Sequence, residues 1–77
     1  MKFEEGKTYK VTVNIEGLTF DRYYYISKRS ENGYIWIKEH KDLIKEKRRK
    51  IHTYRDTEYF DDPFGYGMVF RNYVKEV

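Results

Sequence analysis

The chain has 77 residues, 39% hydrophobic and 38% charged, with no cysteine and a formal net charge of +3. That length fits one domain, and the missing cysteines exclude a disulfide scaffold and any cysteine-ligated metal centre. No apolar run approaches the ~20 residues of a membrane span, and Met1 to Gly6 has no apolar signal-type core, so a cytoplasmic protein without membrane contact is expected.

A domain of this size buries only about 60% of its unfolded surface, so its core is marginal. Aromatic residues make up 19% of the chain, and their large rings extend what a small core can bury. The charge is local. From Lys38 to Lys50 seven basic residues accompany three acids, a balance of +4, whereas the rest of the chain stands at −1. Asp56, Glu58, Asp61 and Asp62 come next as an acidic counterpart.

Met1 to Lys7 reads as a short lead-in, loose at its tip. From Lys7 to Ile15, Tyr9, Val11, Val13 and Ile15 alternate with Lys10, Thr12, Asn14 and Glu16, the period of a half-buried strand. Glu16-Gly17 makes a turn. Thr19 to Arg29 is a second strand with blurred alternation: Phe20, Tyr24 and Ile26 share one parity, Tyr23, Tyr25 and Ser27 the other. A bend or bulge is expected at Asp21-Arg22. Ser30-Glu31-Asn32-Gly33 turns the chain, since Asn-Gly readily adopts positive φ. Tyr34 to Lys38 is the third strand, with Ile35 and Ile37 assigned to the core.

Residues 41–47 are not strand-like. His40, Leu43, Ile44, Lys47 and Ile51 have helical spacing, but two strong apolar positions support only a long loop with a helical turn or two. Arg48 to Tyr54 returns to strand, and a turn near Arg55-Asp56 leads into Thr57 to Phe60. Asp61 to Gly67 is a loop by composition. Met68 to Val74 is the last strand, with Met68, Phe70, Asn72 and Val74 as its expected core face. Five or six short antiparallel strands without a firm helix point to an all-β fold, a small SH3-like barrel. An OB-like barrel is the alternative, because the 41–47 insert comes after the third strand, where such barrels carry a helix.

The run Tyr25-Ile26-Ser27-Lys28-Arg29, the hairpin after it, Arg48-Arg49-Lys50-Ile51 and Thr57-Glu58-Tyr59-Phe60 together resemble small β-barrel proteins of low-GC Gram-positive bacteria and their phages or mobile elements, over residues 19–77. The resemblance implies an SH3-like fold and a mobile-element setting. It supplies no active-site residues.

Four features bear on function. The tract Lys45, Lys47, Arg48, Arg49 and Lys50 has the chemistry to contact phosphates, giving salt-dependent binding. Its competing role is a solvated edge strand whose charges deter pairing, or one neutralised by Asp56 to Asp62. Tyr23, Tyr25, Tyr34 and Trp36 come from paired strands and would form a stacking platform, unless they fill the core. Phe64 and Tyr66 would anchor a protein partner, unless they cover one end of the fold. His40 and His52 lack any ligand spacing, and Asp61-Asp62 before Pro63 is ordinary turn chemistry, so no metal, cofactor or catalytic site is expected.

The leading expectation is a non-catalytic module that binds nucleic acid, single strands above all. The competing one is a protein-interaction module of a phage or mobile element, such as an anti-CRISPR-like inhibitor of a host defence complex, binding an acidic protein surface. A symmetric homodimer made by edge strands is a third possibility.

Overall fold

A computed structural model describes residues 1–77. Eight strands form, β1 Thr8–Ile15, β2 Leu18–Arg29, β3 Tyr34–Lys38, β4 Lys47–Lys50, β5 His52–Tyr54, β6 Thr57–Asp61, β7 Met68–Phe70 and β8 Lys75–Glu76. A single 3-10 turn, Arg71–Tyr73, separates the last two. The strands make two antiparallel sheets, one ordered β4-β3-β2-β1-β8 and the other β5-β6-β7.

The turns arise from local backbone chemistry. Glu16 and Gly17 both take positive φ, 53° and 81°, and close a two-residue turn whose twist matches the flanking strands. Arg55 and Asp56 do the same at 49° and 64° without a glycine. There the Met1 ammonium donates to the Asp56 carbonyl at 2.8 Å and helps hold the strained turn. Between β2 and β3 only Gly33 is left-handed, and the Ser30 amide donates to the Tyr34 carbonyl at 2.9 Å. Asn32-Gly33 therefore closes a three-residue loop rather than the tighter two-residue one.

Both sheets turn their apolar faces to one core of nine residues. The larger sheet contributes Tyr9, Tyr24, Ile26, Ile35 and Ile37, as the alternation implied for the two isoleucines. The smaller contributes Phe60 and Val69. Phe3 fills the space between them at 1% exposure, its ring 4.9 Å from Phe60 and 5.3 Å from Tyr9. The lead-in is thus not a loose tip. Lys7 accepts from the Ile26 amide, Gly6 donates to Ile26, and Met1 accepts from the Glu58 amide, so residues 1–7 are strapped to both sheets.

Three other expectations change, at Asp21-Arg22, Arg48–Tyr54 and the last strand. Asp21-Arg22 pairs regularly with Val11 and Thr12, and the irregularity lies at Ser27, between the pairs Ile26–Ile37 and Lys28–Trp36. Residues 39–46 are loop, as expected, with one hydrogen-bonded turn in which the Leu43 amide donates to the His40 carbonyl at 3.1 Å, and Ile44 is left 96% exposed. Arg48 to Tyr54 is not one strand: it breaks at Ile51, whose amide donates to the Gly33 carbonyl, and its halves enter different sheets. Finally, Val69 rather than Met68 and Phe70 faces the core, and the 3-10 turn resets the phase so that Val74 is buried again.

The extra residue at Ser27 shifts the parity of the rest of β2. Lys28 now lies on the outer face opposite Trp36, and Arg29 points inward opposite Ile35. There the Arg29 guanidinium donates twice to the buried carboxylate of Glu58, at 2.7 and 2.6 Å, and once to the Phe3 carbonyl at 2.8 Å. The Phe3 amide donates to the same carboxylate at 2.8 Å. Burial pushes the Glu58 carboxyl up, but the hydrogen bonds from Arg29 and Phe3 and the charges of Arg29 and Lys2 outweigh it and hold the group below the usual carboxylate range.

A carboxylate depressed in the folded state binds its proton less readily there than in the unfolded chain, so its stabilisation is complete above the ordinary value near 4.3 and is lost as pH falls through the folded value. Urea denaturation between pH 7 and pH 3 should show that loss, and Glu58→Gln should remove this part of it. Arg29→Ala should cost about 3 kcal/mol at pH 7 by leaving a buried carboxylate unpaired. A variant as stable as the parent would contradict this account of the sheet-to-sheet link.

Candidate functional site

In an antiparallel ladder directly opposed residues share a face, so the register sorts the predicted site residues. Tyr25 lies opposite Lys38 and Thr8, Tyr23 opposite Lys10, Trp36 opposite Lys28 and Arg48, and Tyr34 opposite Lys50. Because Tyr24, Ile26, Ile35 and Ile37 point inward, Tyr23, Tyr25, Tyr34 and Trp36 all stand on the outer face of the five-stranded sheet. The doubled alternation of β2 and β3 therefore has two causes: Tyr24 and three isoleucines fill the core, and a set of rings covers the outside. Tyr23 is 42% exposed, and Tyr25, Tyr34 and Trp36 are half-buried by their neighbours.

The basic tract divides. Arg48 and Lys50 join the outer face, while Lys47 and Arg49 turn to the other side of β4 and are half-buried. Arg49 donates from Nε to the Asp61 carbonyl at 3.2 Å and from a terminal nitrogen to the Arg48 carbonyl at 3.0 Å. Lys45 is exposed in the loop before the strand. None of the five forms an ion pair, so the acids from Asp56 to Asp62 do not neutralise the tract. Glu58 is committed to Arg29 and Asp62 to the next loop.

Three lysines outside the tract also belong to this face: Lys10, Lys28 and Lys38. Lys75 lies beside Lys10 on β8. The period of two already placed Lys10 and Lys38 there. Lys28 required the bulge, and Lys75 the pairing of the two ends of the chain. The rings rise in steps of two residues from Tyr23 through Tyr25 and Trp36 to Tyr34, a track of about 20 Å along the strands. A cation accompanies each step. Two acids interrupt the field: Asp21 accepts from the Thr12 hydroxyl at 3.0 Å, and Glu46 from the Ser27 hydroxyl at 2.9 Å. Two rings are capped by cations. The Lys28 ammonium lies 4.8 Å from the Trp36 ring centroid and the Arg48 guanidinium 5.0 Å from that of Tyr34.

Phe64 and Tyr66 lie away from this face. The buried Asp62 carboxylate accepts from the Phe64 amide at 2.8 Å, the Tyr66 amide at 3.2 Å and the Tyr24 hydroxyl at 2.8 Å. Burial, then this hydrogen bond, holds the Tyr24 hydroxyl protonated far above its ordinary range. Phe64 stacks on Tyr24, and the Arg22 guanidinium sits 5.4 Å from the Phe64 ring and 4.6 Å from Tyr66. Both rings cover one end of the core, although Tyr66 keeps 40% exposure.

The histidines are apart in role. His40 lies 3.6 Å from Asp42, and His52 stacks on Tyr59, which stacks in turn on Phe70. That ladder on the outside of the smaller sheet, ending at Tyr73, has no signal in the sequence, because its members come from three separate strands and the 3-10 turn.

Tyr24→Phe removes one of the three donors to Asp62. The expected cost is about 1–2 kcal/mol, with faster hydrogen exchange at the Phe64 and Tyr66 amides. Unchanged exchange there would show that the loop is held by other contacts.

The chain matches no protein-family model, no curated protein and no solved structure.

Proposed function

We propose that the chain is a non-catalytic binding module that holds single-stranded nucleic acid on the outer face of the five-stranded sheet. One observation carries the reading: Tyr23, Tyr25, Tyr34 and Trp36 share that face with Lys10, Lys28, Lys38, Arg48 and Lys50, and none of these cations has an ion-pair partner. Cations in that arrangement track a phosphate backbone, and rings beside them stack unpaired bases whatever their sequence. A duplex keeps its bases stacked inside and leaves the rings without partners. In this reading the two sheets form a small barrel of the SH3-like kind, through which the chain passes from one sheet to the other at Ile51.

A second reading changes the partner. Lys28 and Arg48 already occupy the faces of Trp36 and Tyr34, and a surface of capped rings accepts carboxylates without displacing anything. An acidic protein surface would then be the target, as for an inhibitor carried by a mobile element. The two readings differ in what they need from the rings. Bases require Lys28 to leave Trp36, so Trp36 emission should change on binding nucleic acid.

Fluorescence anisotropy of a labelled oligothymidine, at roughly 50 and 200 mM salt, separates them. If five cations contact phosphates, a slope near −0.7 per contact means about a 100-fold loss across that range. Arg48→Ala with Lys50→Ala should lower both affinity and slope, and Tyr23→Ala with Tyr25→Ala should lower affinity with the slope kept. Lys47→Ala with Arg49→Ala should do neither, because those side chains face the other way. Absence of binding at 50 mM salt, or equal effects of the two basic pairs, would overturn the assignment.

A further inference from the structure

The two sheets part along one seam. On one side lies β1 beyond Lys10, because β8 pairs with β1 only at Tyr9 and Lys10. On the other lies β7, whose single strand neighbour is β6. Between them runs a groove of about 260 Å³, walled by Val11 and Val13 on one side and Met68, Val69, Phe70 and Tyr73 on the other.

The backbone of β1 is prepared for another strand along this seam. The Thr8 carbonyl accepts from the Val77 amide at 2.9 Å, so even-numbered residues of β1 direct their backbone groups away from β2. By the same parity the N–H and C=O of Thr12 and Asn14 point into the seam, where no strand meets them. Beyond the groove, the inner face of the β1–β2 hairpin overhangs the smaller sheet, leaving Ile15, Leu18 and Phe20 exposed, Leu18 at 74%.

Charge selects the occupant. None of the residues lining the groove is charged. A nucleic-acid strand would bring a phosphate at every step with no cation to meet it. The edge of β4 carries Lys47-Arg48-Arg49-Lys50 and that of β8 carries Lys75-Glu76, charges that deter strand addition. The β1 edge from Val11 to Ile15 has no such guard.

We propose that this seam takes an extended, uncharged peptide segment of a protein partner as an added strand on the β1 edge. Its backbone pairs with Thr12 and Asn14, and alternate apolar side chains enter the groove toward β7. This proposal is independent of the nucleic-acid reading, since it uses the opposite side of the larger sheet and none of the same side chains.

The test is selection of a random heptapeptide phage library on the immobilised full chain, followed by amide chemical-shift mapping with the most enriched peptide. Enriched sequences should alternate apolar and uncharged polar residues and should shift the Thr12, Asn14, Met68 and Phe70 amides. Asn14→Pro removes a donor that faces only the seam and should weaken the peptide at least about fivefold. Val13→Lys places a charge on the groove wall and tests the same site if the proline variant does not fold. Oligothymidine binding should be the same in both variants as in the parent. The proposal is overturned if no sequence is enriched, or if enriched peptides are acidic and shift the Trp36 face. It is also overturned if the chain self-associates through these amides, or if oligothymidine shifts them.

Discussion

Three distant stretches of the chain meet at one carboxylate. Glu58 on β6 receives the Arg29 guanidinium from the end of β2 and the Phe3 amide from the N-terminal strap. Each partner meets a need of the others: the carboxylate is too buried to stand unpaired, and Arg29 is drawn inward only because the bulge at Ser27 turns it there. The contact fixes Phe3 over Phe60 and Tyr9 and closes the core between two sheets whose strands pair with each other nowhere. In so small a domain, with apolar residues too few for a thick core, this polar tie sets how the sheets face one another.

The same bulge also shapes the outer surface. By moving Lys28 to the face of Trp36, it adds a cation to the ring track on the far side of the sheet. The near balance of the formal charge conceals how uneven that surface is. The acids are spent elsewhere: Glu58 on Arg29, Glu39 on Arg22, Glu76 on Lys7 and Arg71, and Asp62 on the loop that carries Phe64 and Tyr66. Cations on the outer face are consequently left to solvent or to a partner. The potential there is local, with a short reach at physiological salt, and concerns ligands that touch the face rather than steering from afar.

The molecule thus has two kinds of surface on one sheet. The outer side of β1 to β4 is basic and aromatic. The inner side, where the hairpin overhangs the core, is apolar and ends in an unpaired strand edge. Both come from the unequal lengths of the elements: β2 runs for 12 residues and β7 for three, so the smaller sheet cannot cover the larger.

Period-two alternation determined most of the larger sheet. Tyr9, Ile35 and Ile37 were legible as core, and β1 to β3 as strands, because side-chain direction in a regular strand depends only on parity. The common face of Tyr23, Tyr25, Tyr34 and Trp36 was one of two options left open by the same rule, since both parities of β2 carry rings and both parities of β3 are apolar or aromatic. Only the tertiary structure chose between them, through what the second sheet buries. It also decided the side-chain directions beyond each break in parity: the bulge at Ser27, the bend at Ile51 that divides the basic tract from His52 and Tyr54, and the 3-10 turn that lets Val74, expected in the core, share it with Val69, which was not. Such breaks are invisible to a local pattern, because each is held by a residue far away in the chain. Phe3 shows the same limit: a single ring in a polar segment has no periodicity, and its place in the core depends on a carboxylate 55 residues away.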